Sequence, residues 1–365
     1  MKKSIILTQA APVFFGASRF LSSILHARSR IPCPARAFLA CLLALAFLPA
    51  AAAPLPQARR NARHEAGMKR KAEVSDLHAD IVYKKVGGDD LTLDLMLPKT
   101  KTDAKGRALF PNGTPVVFYL HGGGWHGGSR YVSPDDAEYF SKNGLALACV
   151  TYRFAKNNGL TIADCVTDCF DAARYLAAHA SGHGLDPRLF LAYGHSAGGH
   201  LTLMMLYAPP EAFPGDPAHA AAKFRFAGGV AFSGPTSMLD REFWNNEGWL
   251  AIQKNYTDAF GSAPENERGS IAKKVSPYYY LTKDSPRTLL IHGDLDQAVH
   301  INHAILLEKR ARELGADLTL WRVPGAAHNF KGKRSPIFGA YNHLGWDTLR
   351  DMAREAAAKN AAAAQ

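Results

Sequence analysis

The chain has 365 residues, 47% of them hydrophobic, 21% charged and 10% aromatic, which is ordinary for a globular enzyme and enough for one large domain with a substantial core. Its formal net charge is +11, but six basic residues and no acidic ones precede Ala53, so the remainder stands near +5. That surplus gathers into no basic stripe, which argues against a nucleic-acid partner and leaves only weak attraction to acidic polymers.

Taken in chain order, the first 53 residues read as a secretory signal peptide. Arg28, Arg30 and Arg36 precede the apolar run Ala37 to Ala46, and Phe47-Leu48-Pro49 and Ala50 to Ala53 follow it. The basic region is long, so either it is extended or the true start lies downstream of Met1. A periplasmic or secreted location follows as the expectation. Residues 54–75, rich in Arg, Ala and Lys, read as a flexible linker. No later stretch is apolar and long enough to span a bilayer, so no stable membrane insertion is expected.

From 76 to 350, apolar runs alternate with amphipathic stretches. Strands are predicted near Leu91–Leu97, Val116–Leu120, Leu145–Thr151, Leu189–Tyr193, Gly228–Phe232, Thr288–His292 and Leu318–Arg322, with helices over Asp164–Ala178 and His303–Leu314. Such alternation predicts an α/β fold with a mostly parallel central sheet, helices on both faces, and functional loops at the carboxyl ends of the strands. The interval from about 235 to 280 reads as a lid insertion. It carries Phe243, Trp244, Trp249, Tyr256, Phe260 and Tyr278 to Tyr280, aromatics that either line a pocket or form the lid's own core. Residues 351–365 form an Ala-rich tail.

Four motifs fall at predicted strand ends. Gly194-His195-Ser196-Ala197-Gly198 joins an apolar strand to an apolar helix. A serine on so tight a turn has strained dihedrals, and side chains two residues away would collide as the backbone folds back. The helix also aims its N-terminal dipoles at Ser196. Upstream, His121-Gly122-Gly123-Gly124-Trp125 follows a strand, and its glycines can present bare N–H groups. The N–H groups of Gly123, Gly124 and Ala197 are therefore candidates for an oxyanion hole. His121 reads as a shaper of this loop, while Trp125 and His126 are candidate substrate contacts.

Downstream, Leu289-Leu290-Ile291-His292-Gly293-Asp294-Leu295-Asp296 ends a strand in a turn with two carboxylates. Asp296 lies further out and is the choice for orienting a histidine; Asp294 competes, with capping as its other role. Val323-Pro324-Gly325-Ala326-Ala327-His328-Asn329-Phe330 then places His328 beyond the last strand, where a general base can reach Ser196. The order Ser, Asp, His selects His328 among fifteen histidines. His195, His200, His300, His303 and His343 read as surface or packing residues.

Five cysteines add little. Cys33 and Cys41 fall in the leader, and Cys149 reads as a buried core thiol. Cys165 and Cys169 share one helix face at a spacing poor for a disulfide. No metal-ligand spacing involves them, and neither metal nor cofactor is expected.

With these motifs in order, the chain resembles the α/β-hydrolase carboxylesterases of the hormone-sensitive-lipase-like and feruloyl-esterase-like groups, from about Asp90 to Phe330. Leu93-Asp94-Leu95 and Thr151-Tyr152-Arg153 add to the likeness. The resemblance implies a Ser196–Asp296–His328 triad hydrolysing a small-molecule or polysaccharide-linked ester, such as an acetyl, feruloyl or short-chain ester. Hormone-sensitive-lipase-like enzymes usually carry an acidic residue where this chain has His195. The run Gly-His-Ser-Ala-Gly is closer to the feruloyl-esterase-like branch and to kynurenine formamidases. An amide-cleaving formamidase is thus the alternative enzyme, and a non-catalytic binding protein of the same fold the alternative from another class.

Overall fold

The computed structural model describes residues 57–155, 159–245, 248, 260, 265–328 and 336–363. The expected signal peptide lies outside them, as do Trp249 and Tyr256 of the expected lid and Asn329 and Phe330.

Eight strands form one sheet: β1 (Ser75–Val86), β2 (Asp89–Pro98), β3 (Thr114–Leu120), β4 (Ala146–Val150), β5 (Leu185–His195), β6 (Phe226–Phe232), β7 (Arg287–Gly293) and β8 (Leu318–Val323). Their spatial order is β1-β2-β4-β3-β5-β6-β7-β8. The hairpin β1–β2 and the β2–β4 pair are antiparallel, and every pair from β4 to β8 is parallel. Continuous apolar runs such as Ala146–Val150, buried at every residue, suit strands covered on both faces.

Alternate residues supply two cores, as a two-residue period requires. Val116, Phe118 and Leu120 of β3 face one way, with Phe190 and Ala192 of β5, and pack against α3 (Ile162–Ala178) and α5 (Ala197–Tyr207). Val117, Leu191 and Val230 face the other way, toward α2 (Pro134–Lys142) and α8 (Pro336–Ala363), which contributes Trp346, Leu349 and Met352. A short helix α4 (Ala180–His183) precedes β5; α6 (Glu265–Lys274) and α7 (Asn302–Leu314) precede β7 and β8. Thr161 and Ser133 open α3 and α2 with capping boxes closed by Asp164 and Asp136.

Two expectations need correction, and one strand went unpredicted. The stretch read as a flexible linker is helical over Gln57–Val74, here α1. Its last turn is tied down: Lys71 is buried, Lys99 Nζ donates to the carbonyls of Ala72 and Glu73 at 2.9 and 2.7 Å, and Ser141 Oγ donates to that of Val74 at 2.6 Å. Composition alone shows the polar residues and none of these ties. Residues 351–363 are not a tail but the end of α8, where Met352 and Ala353 are buried. Strand β1 was not read at all. The cysteines agree with expectation, since Cys149, Cys165 and Cys169 are buried free thiols.

Candidate active site

Ser196 follows the last residue of β5 and caps α5 with φ 59° and ψ −122°, a left-handed backbone that a non-glycine residue adopts only under constraint. The constraint is steric. A Cβ on Gly194 would stand 2.4 Å from the Leu120 carbonyl oxygen, and one on Gly198 would stand 2.0 Å from the same atom. Both positions must be glycine for α5 to fold back over β3 and β5. The Ser196 N–H donates to the Phe232 carbonyl at 2.9 Å, pinning the turn to β6. Ala197 is the first residue of α5, so its N–H has no intrahelical partner.

The loop after β3 packs directly on this turn: a Cβ on Gly122 would lie 2.7 Å from the His195 carbonyl oxygen and 3.5 Å from Ser196 Cβ. Gly123, Gly124 and Trp125 all have positive φ (128°, 61° and 62°), and the His126 N–H closes the turn on Gly123 at 3.1 Å. Among the described residues, no hydrogen bond takes the N–H of Gly123 or Gly124. His121 shapes the loop as anticipated. It is buried, stacks on Tyr152 at 4.2 Å, and its carbonyl accepts the Tyr152 hydroxyl at 2.7 Å.

Trp125 does not stand free as expected of a substrate contact. It is 6% exposed within the core, and its indole N–H donates to His200 Nδ1 at 3.2 Å. His126 is partly exposed on the same loop. His200 therefore carries its proton on Nε2, which donates to the Val275 carbonyl at 2.7 Å. Complete burial lowers its pKa to about 4, against a smaller opposing effect of that hydrogen bond.

The other two motifs converge on the serine. His328 Nε2 lies 2.9 Å from Ser196 Oγ, and His328 Nδ1 lies 2.8 Å from Asp296 Oδ2. A carboxylate only accepts, so Nδ1 carries the proton and the Nε2 lone pair faces the serine hydroxyl. Asp296 is fully held: Oδ1 accepts the N–H groups of Ala298 and Val299 at 3.0 and 2.9 Å. Burial works to raise its pKa, but hydrogen bonds from His292 and His328 and the Val299 N–H outweigh that and hold the carboxyl well below the usual range. Asp294, the competing carboxylate, instead accepts the Gly325 N–H at 2.7 Å and ties the two loops together.

Two histidines near the serine and Asp296 escaped the sequence reading. His292, buried at the end of β7, places Nε2 2.8 Å from the Val299 carbonyl and 3.4 Å from Asp296 Oδ2. His195, taken for a surface or packing residue, donates from Nε2 to the His328 carbonyl at 2.8 Å. Its place beside Ser196 was the available signal. His300, His303 and His343 are structural: His300 Nδ1 accepts the Asn302 N–H, His303 Nδ1 accepts that of Thr236, and His343 lies edge-on to Trp346.

Between Pro235 and Tyr280, Tyr278 to Tyr280 are half-buried and the other described aromatics pack inward. Phe243, Trp244 and Phe260 are buried, and Trp244 stands edge-on to His303 at 4.3 Å. Asn245 reaches the Gln297 carbonyl at 3.1 Å, next to Asp296. Among the described residues, no group of three or more His, Cys, Asp or Glu could hold a metal ion, and no helix is long and apolar enough to cross a membrane.

A parallel sheet with a strained serine at its central strand end and loops from β7 and β8 folded over it defines an α/β hydrolase. The BD-FAE family model matches residues 93–311, more than half of the chain, and the chain belongs to that family of α/β-hydrolase carboxylesterases. It is 30% identical over 268 residues to a probable isoprenylcysteine alpha-carbonyl methylesterase, ICMEL1, of Arabidopsis thaliana, covering 69% of this chain and 51% of that protein. It is 24% identical to the probable carboxylic ester hydrolase LipM of Mycobacterium tuberculosis, over 59% of this chain and 49% of that one. The chain spans about half, or less, of the length of the curated relatives it matches. Among solved structures, butyrate-bound esterase Est2 of Thermogutta terrifontis superposes with TM-score 0.58 at 25% identity, covering 77% of this chain and 92% of that one. The same esterase phosphonylated by sarin gives 0.57 at 26%, over 75% and 91%.

Proposed function

We propose that this chain is a serine hydrolase of carboxylic esters. The observation that carries the reading is the continuous hydrogen-bonded relay from Asp296 through His328 to Ser196 Oγ, at 2.8 and 2.9 Å. In it, Ser196 attacks the ester carbonyl while His328 Nε2 takes its proton. The proton then passes to the leaving alcohol, and Asp296 stabilises the imidazolium between the two transfers. The N–H groups of Gly123, Gly124 and Ala197 face the developing oxyanion, where a single donor is worth roughly a hundredfold in rate or more. Water releases the acid in a second, mirrored step. His126, partly exposed beside these donors, is the residue of that loop left to meet the alcohol or acyl group.

Short acyl groups are the proposed substrates, because the esterase from Thermogutta terrifontis that this chain is similar to binds propionate and butyrate in solved structures. Esters carried on polysaccharide, outside the cytoplasm, fit the basic and apolar leader before Ala53. Cell fractionation that finds the protein only in the cytoplasm removes that part of the reading.

The decisive assay is a p-nitrophenyl ester ladder from acetate to decanoate, with methyl ferulate and N-formylkynurenine beside it, for wild type and Ser196→Ala. Turnover of short esters lost in the variant supports the proposal. A wild type that cleaves N-formylkynurenine and none of the esters replaces it with the formamidase reading.

A further inference from the structure

We propose that His195 is a positioning residue that holds His328 in place while Ser196 is acylated; this rests on the reading of Ser196 as nucleophile and His328 as base. His195 is the last residue of β5, adjacent to Ser196, and its ring stands 4.8 Å from that of His328. Its Nε2 lies 2.8 Å from the His328 carbonyl oxygen. A carbonyl only accepts, so Nε2 carries the proton, and protonating the ring leaves that donor in place.

The importance of this bond follows from what else holds the loop after β8. Among the described residues of this loop, Pro324, Gly325 and Ala327 are exposed, whereas Val323 is buried and Ala326 packs against the core. Among the described residues, its other ties run to the loop after β7: Asp294 N–H to the Val323 carbonyl at 3.2 Å, Leu295 N–H to the Ala326 carbonyl at 3.0 Å, Gly325 N–H to Asp294, and His328 Nδ1 to Asp296. These fix the base to its acid. Two links run from His328 to the serine's own turn, the Ser196 Oγ contact and the His195 bond.

Only one of those links lasts through a reaction cycle. In the free enzyme the Ser196 hydroxyl donates to His328 Nε2. Once Oγ carries the acyl group it has no hydrogen to donate, and the contact that aimed the ring is gone. Deacylation nevertheless needs the ring aimed. Nε2 must take a proton from water as the water oxygen bonds to the acyl carbon, and must return that proton to Oγ as the acyl–Oγ bond breaks. Through this half of the cycle, His195 ties His328 to the turn that bears the acyl group. A base displaced by an ångström loses about a hundredfold, so a softer hold has a measurable price in rate.

The inference separates the two half-reactions. Stopped-flow hydrolysis of p-nitrophenyl butyrate is run on wild type, His195→Ala, His195→Phe and His195→Gln. The alanine and phenylalanine variants lack the donor, whereas glutamine has a side-chain N–H of similar reach. In the donorless variants, kcat is expected to fall about tenfold while kcat/KM, which reports acylation, falls less than about threefold. A burst of p-nitrophenol should then precede the slower steady state, and His195→Gln should recover most of kcat. Phenylalanine keeps the ring's bulk and carries the test if the alanine variant does not fold. Parallel losses in kcat and kcat/KM, no loss in either, or a glutamine variant no better than alanine each overturn the inference. Ser196→Ala, run beside them, keeps the two readings apart. Hydrolysis surviving in it overturns the serine mechanism and this inference together. A dead Ser196→Ala with an indifferent His195→Ala overturns the role of His195 alone.

Discussion

His292 precedes Asp296 by four residues and sends one Nε2 proton toward two acceptors, the Val299 carbonyl at 2.8 Å and Asp296 Oδ2 at 3.4 Å. Both partners belong to the turn that follows β7, so this histidine sets the shape of the turn as well as the orientation of the carboxylate. His292→Phe removes the donor and keeps the bulk. The expected result is a loss of about tenfold in kcat/KM for a short ester, with the fold retained by circular dichroism. Full activity in that variant would mean that the backbone N–H groups of Ala298 and Val299 suffice.

The relay itself predicts unequal losses. Ser196→Ala and His328→Ala should each lower kcat by a thousandfold or more, and the double variant by about the same amount, since the two act as one unit. Asp296→Asn should lose somewhat less, because the oxyanion donors remain, although its amide N–H2 would face His328 Nδ1 and turn the imidazole to the tautomer protonated on Nε2. Losses that add in the double variant would contradict the shared mechanism.

Acid should weaken the fold through His200. Its folded pKa of about 4 lies below the ordinary value of 6.5, so the unfolded chain binds the extra proton first. Stability from this group is complete above pH 6.5 and is lost as the pH falls toward 4, by about 3 kcal/mol over that window. Asp296 acts in the same direction at lower pH: its depressed pKa stabilises the fold above about pH 4 and ceases to do so below. Chemical denaturation between pH 7 and pH 4 checks the first effect, and His200→Gln should flatten the profile. Trp125 donates to the lone pair that a proton would occupy, so indole fluorescence should change over the same range.

Away from the site, Lys84 reaches from β1 to two buried carboxylates of α3, Asp168 at 2.8 Å and Asp171 at 2.7 Å. Each acid has a second cation, Arg153 at 2.8 Å and Arg174 at 2.8 Å. Lys84→Met leaves each carboxylate one cation and should cost about 3 kcal/mol in urea unfolding. Asp168→Ala, which leaves Lys84 only Asp171 and Arg153 only Asp164 at 3.7 Å, should cost more. A silent Lys84→Met would show that the arginines alone satisfy both acids.

Sequence patterns announced β2 to β8 because each is an apolar run ended by a turn motif. They did not announce β1, whose Ser75–Val86 segment intersperses Asp, His and Lys among its apolar residues and breaks register at Asp80, where φ is 54°. An edge strand paired on one side needs no alternating pattern. At the site, the Ser196 turn was legible because its glycines answer to a local clash with Leu120 that any such turn would meet. The contacts of His292 and His195 were not, since they depend on how the ends of β5, β7 and β8 line up across the sheet. Trp125 was misplaced for a related reason. An aromatic ring beside a reactive loop reads the same in sequence whether it faces solvent or its own core.

The strand order also distributes the site unevenly over the sheet. Ser196 directly follows β5, which is flanked by β3 and β6, whereas His328 hangs beyond β8, an edge strand bonded on one side only, with Thr319, Trp321 and Arg322 exposed. Fraying should therefore begin where His328 is attached and reach Ser196 last. Warming should silence the protein before it melts, reversibly, with amide exchange accelerating along β8 while β3 and β5 remain protected.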